Sequence, residues 1–184
     1  MMNKKLHLKD IILCSMFTVL MVIGAYIKIP VFAVPFTLQF MFTNLACLIL
    51  GKKLSVISAS LYVLIGILGV PVFAQGGGIG YIFNQNFGFV LGFISGNFFG
   101  GIMLEKIKTD GIFKYFISGI LNLLCVYITG MIYFFLISTF YLDNISILLS
   151  AIPVILFICL PGDIFVLILT CFMARRIKII ANIY

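Results

Sequence analysis

Residues Ile112 to Phe140 read IFKYFISGILNLLCVYITGMIYFFLISTF, an apolar run with one charge, Lys114, near its start. A helix needs ~20 apolar residues to cross the hydrocarbon core of a bilayer. Around this run the same character continues: 64% of the chain is hydrophobic and 9% charged, against roughly 25% charged in soluble domains. With a mean hydropathy of +1.30, the chain is an integral membrane protein. Its 184 residues hold about six spans with short connections, so one all-α transmembrane domain over residues 1–184 is expected.

Further apolar runs fall at about 11–27, 36–50, 54–70, 83–104 and 147–173. The second is short and begins at Pro35, a residue suited to the first turn of a helix. Lys4, Lys5 and Lys9 before the first run look like the start of a signal peptide, but no A-x-A cleavage site follows and every later run is also membrane-like.

Basic residues sort by connection. Lys4, Lys5 and Lys9, then Lys52 and Lys53, then Lys106, Lys108 and Lys114, then Arg175, Arg176 and Lys178 all fall on one side, and Lys28 alone on the other. The positive-inside rule then predicts six spans with both termini cytoplasmic. It also accounts for the net charge of +7 without nucleic acid. The five cysteines stand singly within apolar runs, as small packing residues do.

In this orientation the segment from Gln75 to Gly88, QGGGIGYIFNQNFG, faces the outside. Glycine permits positive φ and close approach to a ligand, and the amides of Asn84 and Asn86 offer donors and acceptors. Gln39 adds another amide at the outer end of the second span. Tyr26, Tyr62, Tyr81, Tyr127 and Tyr133 belong either to interfacial belts or to a cavity wall, with Tyr81 drawn to the cavity by its place among the glycines. Asn144-Ile-Ser146 matches a glycosylation sequon, a weak signal at this length.

Asp163, in Leu160-Pro-Gly-Asp163, is an acid deep inside the last run. An unpaired acid at that depth costs about 2.5–3.5 kcal/mol even on insertion scales. Two roles stay open: a carboxylate that caps backbone freed by Pro161 and Gly162, or a ligand or coupling group. Pro161 and Gly162 are expected to interrupt the helix, which is tolerated only where the backbone is buried or lines a cavity. Gly78-x-Gly80-x-x-Phe83 lacks the third glycine of a dinucleotide fingerprint. With His7 the single histidine, neither a hydrolytic triad nor a metal cluster can be assembled. No enzyme, cofactor or metal ion is expected.

Pro30, Val34-Pro-Phe-Thr-Leu-Gln39, Leu61-Tyr-Val-Leu-Ile-Gly-Ile-Leu-Gly-Val-Pro-Val-Phe-Ala74, Asn84-x-x-Phe-Gly-Phe89, Gly92-Phe93 and Leu160-Pro-Gly-Asp163 together resemble the BioY family. These are the biotin-binding S components of energy-coupling factor (ECF) vitamin transporters. The resemblance implies a compact six-helix bundle in the cell membrane with an outward-facing pocket for biotin. It also implies partners, a transmembrane coupling subunit and ATPase subunits, and this chain has no phosphate-binding loop of its own. Asp163 and Asn84 would meet the ureido ring, with Gln39, Tyr81, Gly77, Gly78, Asn86 and Phe89 completing the ligand site. The family's Ala-x-x-x-Ala stripe, which docks the coupling subunit, would fall at Ser15 and Val19, of which only Ser15 is small, with Cys14 and Thr18 on the adjacent face able to share the task. At the ligand site the chain departs from its relatives in two places. Val166 replaces the lysine of Pro-Gly-Asp-x-x-Lys, and Gln85 and Asn86 replace Pro-Thr. A related vitamin as ligand, or stand-alone proton-coupled transport through Asp163, are the alternatives. The chain shows no internal repeat, and an inverted-repeat transporter would more often carry paired broken helices.

Overall fold

A computed structural model describes residues 7–29, 35–108 and 111–181; Lys4, Lys5, Pro30 and Val34 lie outside these ranges. The described chain is helical apart from one short ribbon and its connecting loops. Helix α1 covers Leu8–Tyr26, α2 Gln39–Ile67, α3 Phe87–Lys106, α4 Ile112–Leu136, α5 Ile145–Val154 and α6 Leu160–Ala181. Five helical stretches among the described residues are long and apolar enough to cross a membrane, α5 and α6 forming one of them. The protein is thus a multi-pass membrane protein.

Strand β1 (Lys28–Ile29) pairs antiparallel with β2 (Phe36–Thr37), Lys28 opposite Thr37. Pro35 therefore does not open a helix. Proline fixes its own φ and has no N–H to give, and Phe36 and Thr37 suit a pleated strand. Helix α2 starts only at Gln39.

The second and third apolar runs form one helical element, α2, broken at Gly51 with φ +74° and ψ −175°. The Gln39 side-chain amide donates to the hydroxyl of Tyr62, 23 residues on. A straight helix would hold them about 35 Å apart, so α2 doubles back on itself at Gly51. Glu105 Oε1 accepts from the Lys52 N–H at 3.3 Å, placing a carboxylate where the second limb begins and its N–H groups lack partners.

Helix α1 packs against that second limb. Thr18 Oγ1 donates to Ser58 O at 3.1 Å and Cys14 Sγ to Leu54 O at 3.4 Å. Cys14 and Thr18 are buried by these contacts, which corrects the expectation that they share an outward docking face. Ser15 and Val19 are exposed.

Glycines let α3 and α4 meet backbone to backbone. A Cβ on Gly92 would lie 2.8 Å from Val126 O, and one on Gly96 2.2 Å from Asn122 Oδ1. Such four-residue spacing of small residues is how helices approach closely in lipid. Beside this seam, fully buried asparagines from three elements join. Asn122 Nδ2 donates to Asn44 Oδ1 at 3.2 Å and to Asn97 Oδ1 at 3.3 Å, and Asn44 Nδ2 donates to Thr170 Oγ1 of α6 at 2.7 Å.

Pro161 and Gly162 do not break the last span. The helix widens instead into a π-helical stretch, Ile155–Cys159, and continues as α6. Proline cannot donate to the carbonyl four residues back and its ring crowds it, and a wide turn relieves both. Asn144 caps α5, its Oδ1 accepting from Ser146 N at 3.1 Å.

Candidate ligand-binding site

A cavity of about 660 Å³, the open space at its mouth included, lies where the ribbon, the start of α2, the 74–86 region, α3, α4 and α6 converge. Its walls are mainly apolar, Phe36, Phe40, Phe89, Val90 and Phe93 among them. This mixture of apolar surface and a few placed polar groups is typical of small-molecule sites.

Asp163 of α6 lines the cavity, half-buried. Among the described lining residues it alone is charged. Tyr127 of α4 donates its hydroxyl to Asp163 Oδ2 at 2.6 Å, a short, charge-assisted bond that holds the carboxylate in place. The Tyr127 ring meets Phe89 edge to face, centroids 5.9 Å apart. A Cβ on Gly130 would come within 2.3 Å of the Phe89 ring, so the glycine is what lets that ring pack against α4. Gly162 does the same for Phe36, whose ring a Cβ there would meet at 2.6 Å.

Gln39 reaches the wall, but its amide is already engaged. Besides donating to Tyr62, it accepts from Thr37 Oγ1 at 3.2 Å, and Tyr62 passes the chain on to Val72 O at 3.0 Å. Tyr81 lines the cavity from a short 3₁₀ helix, Ile79–Phe83. Burial pushes its phenol up to about 12, against an opposing hydrogen bond with the Gln75 backbone, so it is a protonated donor at neutral pH. Asn86 and Phe89 also line the cavity.

Asn84, Gly77 and Gly78 are not among the lining residues; they build the loop that carries the wall. Gln75 Oε1 accepts from Asn84 Nδ2 at 3.1 Å and from Asn86 Nδ2 at 3.2 Å, and Asn84 Oδ1 accepts from Asn86 N at 2.9 Å. Gly78 takes φ +97° and donates its N–H to Gly66 O at 2.7 Å, while a Cβ on Gly77 would lie 2.2 Å from Val70 O. Tyr127 entered the sequence expectations only as one of several belt or wall tyrosines. Nothing in the spacing of two residues 36 apart on different helices announces their bond.

The sequence profile of the BioY family matches residues 2–182. The chain is 34% identical over 174 residues to "Biotin transporter BioY" of Thermotoga maritima, covering 93% of this chain and 96% of that protein. It is also 34% identical over 134 residues to "Probable biotin transporter BioY" of Lysinibacillus sphaericus, covering 73% of this chain and 68% of that protein. The fold is similar to the crystal structure of the S-component for biotin from an ECF-type ABC transporter, with TM-score 0.80 and 26% identity over 97% of this chain and 95% of that one. On the match along nearly its whole length, the chain belongs to the BioY family.

Proposed function

We propose that this chain captures biotin from the extracellular side and delivers it inward as the S component of an ATP-driven ECF transporter. The observation that carries this is Asp163, the one charged group among the described lining residues, fixed by Tyr127 at 2.6 Å. One carboxylate oxygen is held by the phenol and the other accepts from a ureido N–H of the ligand. Phe36, Phe89 and Val126 suit the apolar ring system and chain of biotin. The names of the relatives and the likeness to a biotin S-component support the same ligand. A transport role, not an enzymatic one, agrees with that family.

In this proposal the domain crosses the cell membrane six times, both termini are cytoplasmic, and the cavity opens outward. The exposed Ser15 and Val19 on α1 then present a docking face to the transmembrane coupling subunit, and the ATPase subunits supply the energy. Titration calorimetry on the purified protein tests the ligand. Saturable biotin binding is expected, and Asp163→Asn should weaken it about 10- to 100-fold, the range for a lost hydrogen bond to a charged group. No saturable binding by the wild type, or equal affinity in the variant, would overturn the assignment. Uptake that rises with co-expressed ECF subunits and ignores a protonophore separates this route from stand-alone proton coupling.

A further inference from the structure

The proposed ligand is a monocarboxylate, and the cavity's own charged group is an acid. A ligand carboxylate cannot lie beside Asp163 without repulsion, so it must point away from it, and a charge taken out of water needs a cationic or hydrogen-bonding partner. Helix α6 supplies none nearby. Val166, one turn after Asp163, is packed in the core at 6% exposure, and the next base, Arg175, is 12 residues on, about 18 Å along the helix. Lys52, Lys114 and Lys178 are engaged elsewhere: the Lys52 ammonium lies over Phe98, and those of Lys114 and Lys178 lie over Tyr115.

Lys28 is placed differently. It lies in β1 directly opposite Thr37, and residues paired across an antiparallel ribbon share a face. Thr37 lines the cavity. The Lys28 ammonium donates to the carbonyl of Ala74, and Ala74 also lines the cavity. Lys28 does not itself line the cavity, but it ties the ribbon to the loop at two residues that do, Thr37 and Ala74. An ammonium has three donors, and Ala74 O takes one.

We propose that Lys28 is the specificity-determining residue that receives the ligand carboxylate at the mouth of the cavity. This rests on the biotin assignment above and adds to it a direction: head group toward Asp163, carboxylate toward Lys28. A cation at the rim and an anion within make the site dipolar, and a ligand of opposite polarity enters in one orientation.

Calorimetry with biotin and with biotin amide, which keeps the ring system and chain but has no negative charge, tests this on the wild type, Lys28→Gln and Lys28→Arg. The wild type should prefer biotin over the amide by about 10- to 100-fold. Lys28→Gln should erase that preference by weakening biotin alone, leaving the amide within about twofold, and Lys28→Arg should restore most of it. Equal losses for both ligands would reduce Lys28 to a strut for Ala74 and overturn the inference. So would unchanged biotin affinity in Lys28→Gln, or a wild type indifferent to the carboxylate. A wild type that binds neither compound would instead remove the biotin assignment, and this inference with it.

Discussion

Tyr127 holds the one charged group among the described residues that line the cavity. Its hydroxyl, 2.6 Å from Asp163 Oδ2, does for the carboxylate what solvent would do outside the membrane. Tyr127→Phe keeps the ring against Phe89 and removes only that donor. The carboxylate then loses its fixed orientation and one charge-assisted bond. Biotin affinity should fall about tenfold or more with little change in thermal unfolding, measured by calorimetry and a detergent melt; undiminished affinity would show that the pair is structural. Asp163 itself was legible in the sequence because an acid inside an apolar run is costly unless used. Tyr127 was not, since its role depends on which helix α4 faces. The same limit separates the amides. Asn86 reaches the wall while Asn84 serves the loop, and two positions of spacing between like side chains do not tell which way either turns.

Among the elements, α3 and α4 form the rigid back of the site. Their glycine seam fixes Phe89, and through it Tyr127. Gly130→Ala places a methyl group 2.3 Å from the Phe89 ring, closer than carbon atoms can approach, so the ring must swing or the helices must part. Overpacking of this kind costs typically 1–3 kcal/mol. Gly130→Ala should therefore lower the unfolding midpoint and weaken biotin together, whereas Tyr127→Phe should separate the two; a Gly130→Ala protein with wild-type stability and affinity would mean that the seam has slack. Hydropathy made these two helices readable because lipid demands length and apolarity of any span. It is blind to Gly51 and to the π-helical stretch Ile155–Cys159, which obey backbone sterics at single residues. It is equally blind to the Asn44, Asn97 and Asn122 network. Amides inside an apolar run show that partners exist, not which ones.

At the scale of the whole molecule, the decisive feature is the reversal of α2. The Gln39 to Tyr62 bond joins residues 23 apart, and one straight crossing about 35 Å long could not bring them together. If each limb crosses the bilayer, the chain passes six times and its ends share a side. If α2 crossed once, the ends would lie on opposite sides. Charge sorting favours the first case, because Lys52 and Lys53 at the reversal fall with Lys106, Lys108, Arg175 and Arg176 and not with Lys28. Reporter fusions decide it. Alkaline phosphatase, active only outside the cytoplasm, should be inactive when fused after Lys53 or at the C-terminus and active after Gly76, while green fluorescent protein should report the reverse pattern. An active phosphatase after Lys53 would mean that the first limb never completes a crossing. That outcome would place the cavity, which Gln39 lines from the start of α2 and Tyr81 from the 3₁₀ helix, at the wrong depth for capture from outside, and the direction of transport would have to be reassigned along with the topology.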